Sequence, residues 1–97
     1  MKIVRQAVAG TLESSDLMVK VVPREEGLEI ALQSEVFFQF GAQIEHVIRD
    51  TLEKLGITDG MFIIEDKGAL DCVVRSRVQT AVQRAADVWD VKWSALS

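Results

Sequence analysis

Leu17-Met18-Val19-Lys20-Val21-Val22 and Leu28-Glu29-Ile30-Ala31-Leu32-Gln33, joined by Pro23-Arg24-Glu25-Glu26-Gly27, are two β-type runs around a turn. Proline fixes φ and glycine tolerates positive φ, so the joining segment favours a chain reversal and the pair reads as a hairpin. In the second run Leu28, Ile30 and Leu32 alternate with Glu29, Ala31 and Gln33. That period of two sets one face against a core and the other toward solvent.

Upstream, Ala7 to Glu13 alternates weakly and predicts a further strand over 7–13. Ser14-Ser15-Asp16 follows, three residues whose side chains bond to nearby backbone and so favour a turn over continued strand. Downstream, Ser34 is placed as an N-cap for a long helix. The apolar positions Phe37, Phe40, Ile44, Val47, Ile48, Leu52 and Leu55 fall at spacings of three and four, and Gly56 follows as the terminating residue. The opposite face carries Gln43, Glu45, His46, Arg49, Asp50, Glu53 and Lys54, with Glu45 and Arg49 in the favourable order four apart.

Met61 to Glu65 is short and almost wholly apolar, the pattern of a strand covered on both faces. Helical periodicity resumes after Asp66-Lys67-Gly68, with Leu70, Val74, Val78, Ala81, Val82 and Ala85 as a second stripe. The expected class is α+β: a small, mostly antiparallel sheet of strands near 7–13, 17–22, 28–33 and 61–65, with helices near 35–55 and 69–86 on one face. Residues 1–86 form one domain in this reading. The tail 87–97 is left open, since Trp89 and Trp93, four apart, suit either an extended helix or separate packing.

The 97 residues suffice for one core, and the net charge of -4 argues against binding a phosphate backbone, which requires clustered Lys and Arg. Nucleic acid is not an expected partner, and neither is a membrane, because no apolar run approaches bilayer length. The N-terminus shows no apolar stretch of signal-peptide length, so a cytoplasmic location is expected. One cysteine, Cys72, and one histidine, His46, cannot make an internal disulfide or a Cys/His zinc set.

No catalytic constellation can be assembled from these residues. His46 falls on a polar helix face with no nucleophile beside it and reads as a surface histidine. Cys72 reads as a core residue, the rival being a thiol activated at a helix start. Gly68 before a helix suggests anion binding, but neither a Rossmann nor a Walker glycine pattern accompanies it. Trp89 and Trp93 suit a partner anchor and a core seal equally. Composition alone leaves Ser14 an ordinary turn serine.

Three motifs change that weighting: Ala7-Val8-Ala9-Gly10-Thr11-Leu12-Glu13-Ser14-Ser15-Asp16, Gln39-Phe40-Gly41, and Asp66-Lys67-Gly68-Ala69-Leu70-Asp71-Cys72 with Arg75 and Arg77. Together they closely resemble the acyl carrier (gamma) subunit of bacterial citrate lyase, over about residues 1 to 86. The resemblance implies a non-catalytic carrier. It places covalent attachment of a 2'-(5''-phosphoribosyl)-3'-dephospho-CoA arm on Ser14, through a phosphodiester, with Ser15 where the family also accepts glycine.

It further implies a cytoplasmic hetero-oligomer. There the citrate lyase alpha subunit exchanges the acetyl group on the arm for citrate, and the beta subunit releases oxaloacetate and restores acetyl. A prosthetic-group transferase is implied as the partner that loads the serine. Two rivals stand beside this reading: a carrier of the malonate decarboxylase type, which uses a similar arm, and an unmodified protein-interaction module.

Overall fold

A computed structural model describes residues 2–86, which form a four-stranded sheet with two helices on one face. Trp89, Trp93 and the tail lie outside the described residues. Strands β1 (Ala7–Gly10), β2 (Leu17–Val22) and β3 (Leu28–Ser34) precede helix α1 (Phe37–Lys54), strand β4 (Gly60–Asp66) and helix α2 (Asp71–Ala85). The α+β class and the two-helix layer match expectation.

The order across the sheet is β1-β2-β4-β3, which corrects the hairpin reading. β2 and β3 run in opposite directions but do not pair. β4 lies between them, antiparallel to β2, with Val19 opposite Ile64, and parallel to β3, with Ile30 opposite Phe62. The physical reason lies in β4 itself. It holds the longest unbroken apolar run of the four, Met61 to Ile64, and central placement pairs both its edges while burying Phe62 and Ile64.

β4 is nevertheless covered on one face only. Ile63 is exposed, as is Lys20 beside it on the open face, so the expectation of burial on both faces fails. On the covered face Leu17, Val19, Val21, Phe62 and Ile64 meet Ile44, Val47, Ile48 and Leu52 of α1 and Val74, Val78, Ala81 and Val82 of α2. Each fully buried side chain of this size contributes roughly 1.5–3 kcal/mol, so this seam is the principal source of stability.

Other boundaries also move. β1 stops at Gly10 rather than Glu13, because Gly10 adopts φ +93° and the Thr11 hydroxyl then accepts a bond from Glu13 N–H and donates to Asp16. Ser34 belongs to β3 and is not the N-cap of α1; its hydroxyl donates to Asp66 and accepts from Val36 N–H, and Val36 occupies the cap position. α1 ends as read: Gly56 N–H donates to the Glu53 carbonyl and Ile57 N–H to the Leu52 carbonyl, with Gly56 at φ +73°. The Glu45–Arg49 pair forms at 3.5 Å.

The apolar stripes run shorter than their periodicity suggests. Phe37, Phe40 and Leu70 are half or more exposed, and Phe38 is fully so. All four stand at the starts of the helices, and burial begins only at Gly41 in α1 and Val74 in α2. Phe37 instead folds back on its own helix: a Cβ on Gly41 would meet its ring at 2.7 Å, so Gly41 makes room for it. Among the described residues no helix is long and apolar enough to cross a membrane.

Candidate functional site

The Ser14-Ser15-Asp16 segment caps the end of the sheet where β1 passes into β2. Asp16 N–H donates to the Glu13 carbonyl at 3.1 Å, closing a turn with Ser14 and Ser15 at its centre. Ser15 takes φ +65°, the only described non-glycine residue with positive φ. A third turn residue with positive φ suits glycine best, and serine there costs about 1 kcal/mol of backbone strain. Ser14 is exposed at the tip, and its hydroxyl has no hydrogen-bond partner among the described residues.

The turn is held from below on three sides. Ser15 N–H donates to the Lys67 carbonyl at 2.8 Å and Lys67 N–H to the Asp16 carbonyl at 2.9 Å, which joins the serine turn to the β4–α2 loop. The Arg77 guanidinium forks onto both oxygens of Asp16, Nε to Oδ1 at 3.0 Å and Nη2 to Oδ2 at 2.9 Å. The Thr11 hydroxyl and Leu17 N–H also donate to this carboxylate. Gly10 permits the close approach: a Cβ there would lie 1.9 Å from the Leu17 carbonyl oxygen, with Arg77 Cδ also against it.

The Arg77 fork, helped by the Thr11 hydroxyl, pulls the Asp16 carboxyl down to about 2 and raises the Arg77 guanidinium in return. Because the folded value lies below the unfolded one, the pair's contribution is complete above about pH 4 and disappears as pH falls toward 2. Arg77→Met is expected to lower stability at neutral pH and to flatten the loss of stability between pH 4 and 2; urea midpoints across that range check it.

Asp66 is the second anchor. Its carboxylate, 1% exposed, accepts from the Ser34 hydroxyl at 2.8 Å, Gly68 N–H at 3.1 Å and Ala69 N–H at 2.9 Å. Gly68 N–H is thus already bonded to an anion of the chain's own, which overturns the anion-binding reading of Gly68. The same bonds delay α2 to Asp71, short of the start expected at 69. Arg75 ties α2 to α1 through Asp50, at 2.8 Å, and Thr51.

Sequence reasoning singled out Ser14, and the structure sets it at an exposed tip. It did not identify Asp66 as the loop's anchor or Arg77 as the partner of Asp16; the only signal was their presence in the motif runs. His46 is exposed, as expected. Cys72 is exposed rather than core, because it lies on the first turn of α2 facing away from the sheet.

Residues 4–85 match the family model described as the malonate decarboxylase delta subunit, with the short name ACP. A citrate lyase acyl carrier protein of Rhodopseudomonas palustris (strain BisA53) is 65% identical over 97 residues, covering 100% of both chains. Another, of Enterobacter sp. (strain 638), is 57% identical with the same coverage. Among solved structures, a chain from a Pseudomonas malonate decarboxylase hetero-tetramer in complex with malonate superposes with a TM-score of 0.69 at 22% identity, covering 89% of this chain and 93% of that one. At that identity the likeness is one of fold.

Fold and matches define a class, the acyl carrier proteins, which are carrier subunits rather than catalysts and hold a covalently attached prosthetic group. Within that class, the identities over the full length are to the carriers of citrate cleavage. The chain belongs to the citrate lyase acyl carrier protein family.

Proposed function

We propose that Ser14 is the attachment point of a phosphoribosyl-dephospho-CoA arm, and that the loaded chain carries acetyl and citryl groups between the alpha and beta subunits of citrate lyase in the cytoplasm. The observation that carries this reading is the free, exposed Ser14 hydroxyl at the tip of a turn whose base is fixed by Asp16, Arg77 and Lys67. Such a hydroxyl fits a phosphodiester-linked group. A loading transferase reaches the oxygen without unfolding anything, and the anchored base keeps the tether's origin in one place. The arm supplies the thiol on which acyl groups ride.

The protein's own residues present, orient and tether. Tethering keeps the thioester at high local concentration beside each partner site, so the chain needs neither a base nor an oxyanion site. Identity separates this reading from a malonate decarboxylase carrier: 65% and 57% to citrate lyase carriers against 22% to the decarboxylase chain. Reconstitution tests it. Alpha and beta subunits mixed with chain that the transferase has loaded, and whose arm thiol has then been acetylated, should cleave citrate, and the same mixture with unloaded chain put through the same acetylation should not. Equal cleavage by both would mean an unmodified interaction module.

A further inference from the structure

A cavity of about 550 Å³ opens between the first turns of α1 and the β4–α2 loop, lined by Val36, Phe40, Ile44, Ala69 and Leu70, with Gln43, Asp71 and Cys72 also on its wall. Its volume lies within the range of small-molecule sites. Phe40 and Leu70 leave much of their surface uncovered, 53% and 70% respectively, so the described residues do not fill this space. Gln43 Nε2 donates to Asp71 Oδ2 at 3.1 Å, which sets one amide and one carboxylate among otherwise apolar walls.

The cavity adjoins the serine turn. Ser15 is bonded to Lys67, and the next residue, Gly68, is part of the lining, so the Cα atoms of Ser14 and Gly68 lie within about 13 Å by chain geometry. An arm made of a ribose phosphate, an adenosine diphosphate and a pantetheine chain outreaches that distance. Among the described residues the lining has no cation and one carboxylate, which disfavours the phosphates. It suits the uncharged remainder: a chain with a gem-dimethyl group for the apolar walls, amides for Gln43 and Asp71, and a terminal thiol.

We propose that this cavity is the resting site of the pantetheine end of the arm, so that the thiol lodges against the first turns of α1 and α2 between visits to partner subunits. The proposal rests on attachment at Ser14. Cys72 on the cavity wall offers a direct readout, since a lodged arm thiol lies beside it.

The loaded chain with a free arm thiol is diluted and treated with diazenedicarboxamide, which accepts the two hydrogens as the arm sulfur and Cys72 Sγ join in a disulfide. The rate is read by the loss of two hydrogen masses and by the cross-linked peptide. It is divided by the same cysteine's rate with free glutathione. The control is Ser76→Cys in a Cys72→Ser background: Ser76 is exposed and adjacent to Arg77, which reaches the serine turn, yet it lies outside the cavity lining.

Lodging predicts a normalised rate for Cys72 at least about tenfold above the control, because residence adds to the effective concentration that tethering alone supplies. Leu70→Asn, which removes an exposed cavity wall without adding charge, should bring Cys72 toward the control. Equal rates for Cys72 and the control would overturn the resting site while leaving Ser14 as the attachment point. A chain that carries no arm at all would overturn both.

Discussion

Citrate cleavage by the reconstituted complex is expected to fall to background with Ser14→Ala, while the variant unfolds at the urea concentration of the parent. Ser14 is exposed and its hydroxyl bonds to nothing among the described residues, so losing that hydroxyl should move stability by less than about 0.5 kcal/mol. All of the effect then belongs to the missing attachment oxygen. Its neighbour supplies the contrast. Ser15→Gly should retain cleavage and gain up to about 1 kcal/mol, because glycine occupies φ +65° without the strain serine bears there. If Ser14→Ala lost activity only by unfolding, its urea midpoint would drop with it.

Asp66→Ala is expected to be the most damaging single change to the frame of the site, by about 3 kcal/mol. The carboxylate is buried and accepts three bonds, two of them from backbone N–H groups of the β4–α2 loop. Truncation leaves Gly68 N–H, Ala69 N–H and the Ser34 hydroxyl without that acceptor, and an unsatisfied buried polar group costs roughly 1–3 kcal/mol. The carbonyl of Lys67, which holds Ser15, belongs to the same loop, so the serine turn loosens as well. Urea unfolding should show a lower midpoint at unchanged slope, and loading of Ser14 by the transferase should slow. A variant as stable as the parent would mean that Asp66 is not the anchor.

The element types were legible in the sequence because each rests on local period. Leu17 to Val22 and Leu28 to Gln33 alternate, and Ile44, Val47, Ile48 and Leu52 recur at helical spacing. Pairing was not, since Pro23 to Gly27 permits a tight reversal equally well whether the flanking strands touch or leave a slot. What decides is a strand about thirty residues later in the chain, which pairs with both of them and carries the longest unbroken apolar run of the sheet. The exposed first turns of α1 and α2 were likewise hidden: Phe37, Phe40 and Leu70 keep the period of the buried stripe, and only the packing shows that burial begins at Gly41 and Val74.

At the site, Ser14, Ser15 and Asp16 were visible as turn formers, but position in a turn does not distinguish an attachment oxygen from any other hydroxyl. The resemblance singled out Ser14. The structure adds why this turn is a defined projection, namely the Arg77 fork, 61 residues away in sequence, and the Asp66 loop beneath it. No local pattern encodes pairings at that separation.

The central claim is that Ser14 carries the arm. Its most direct test is peptide fragmentation of chain produced together with the loading transferase. The expected result is an intact mass raised by one phosphoribosyl-dephospho-CoA group, with fragment ions assigning the whole addition to Ser14 and none to Ser15. An addition on any other residue, or a fully active complex whose chain shows no addition, would contradict it.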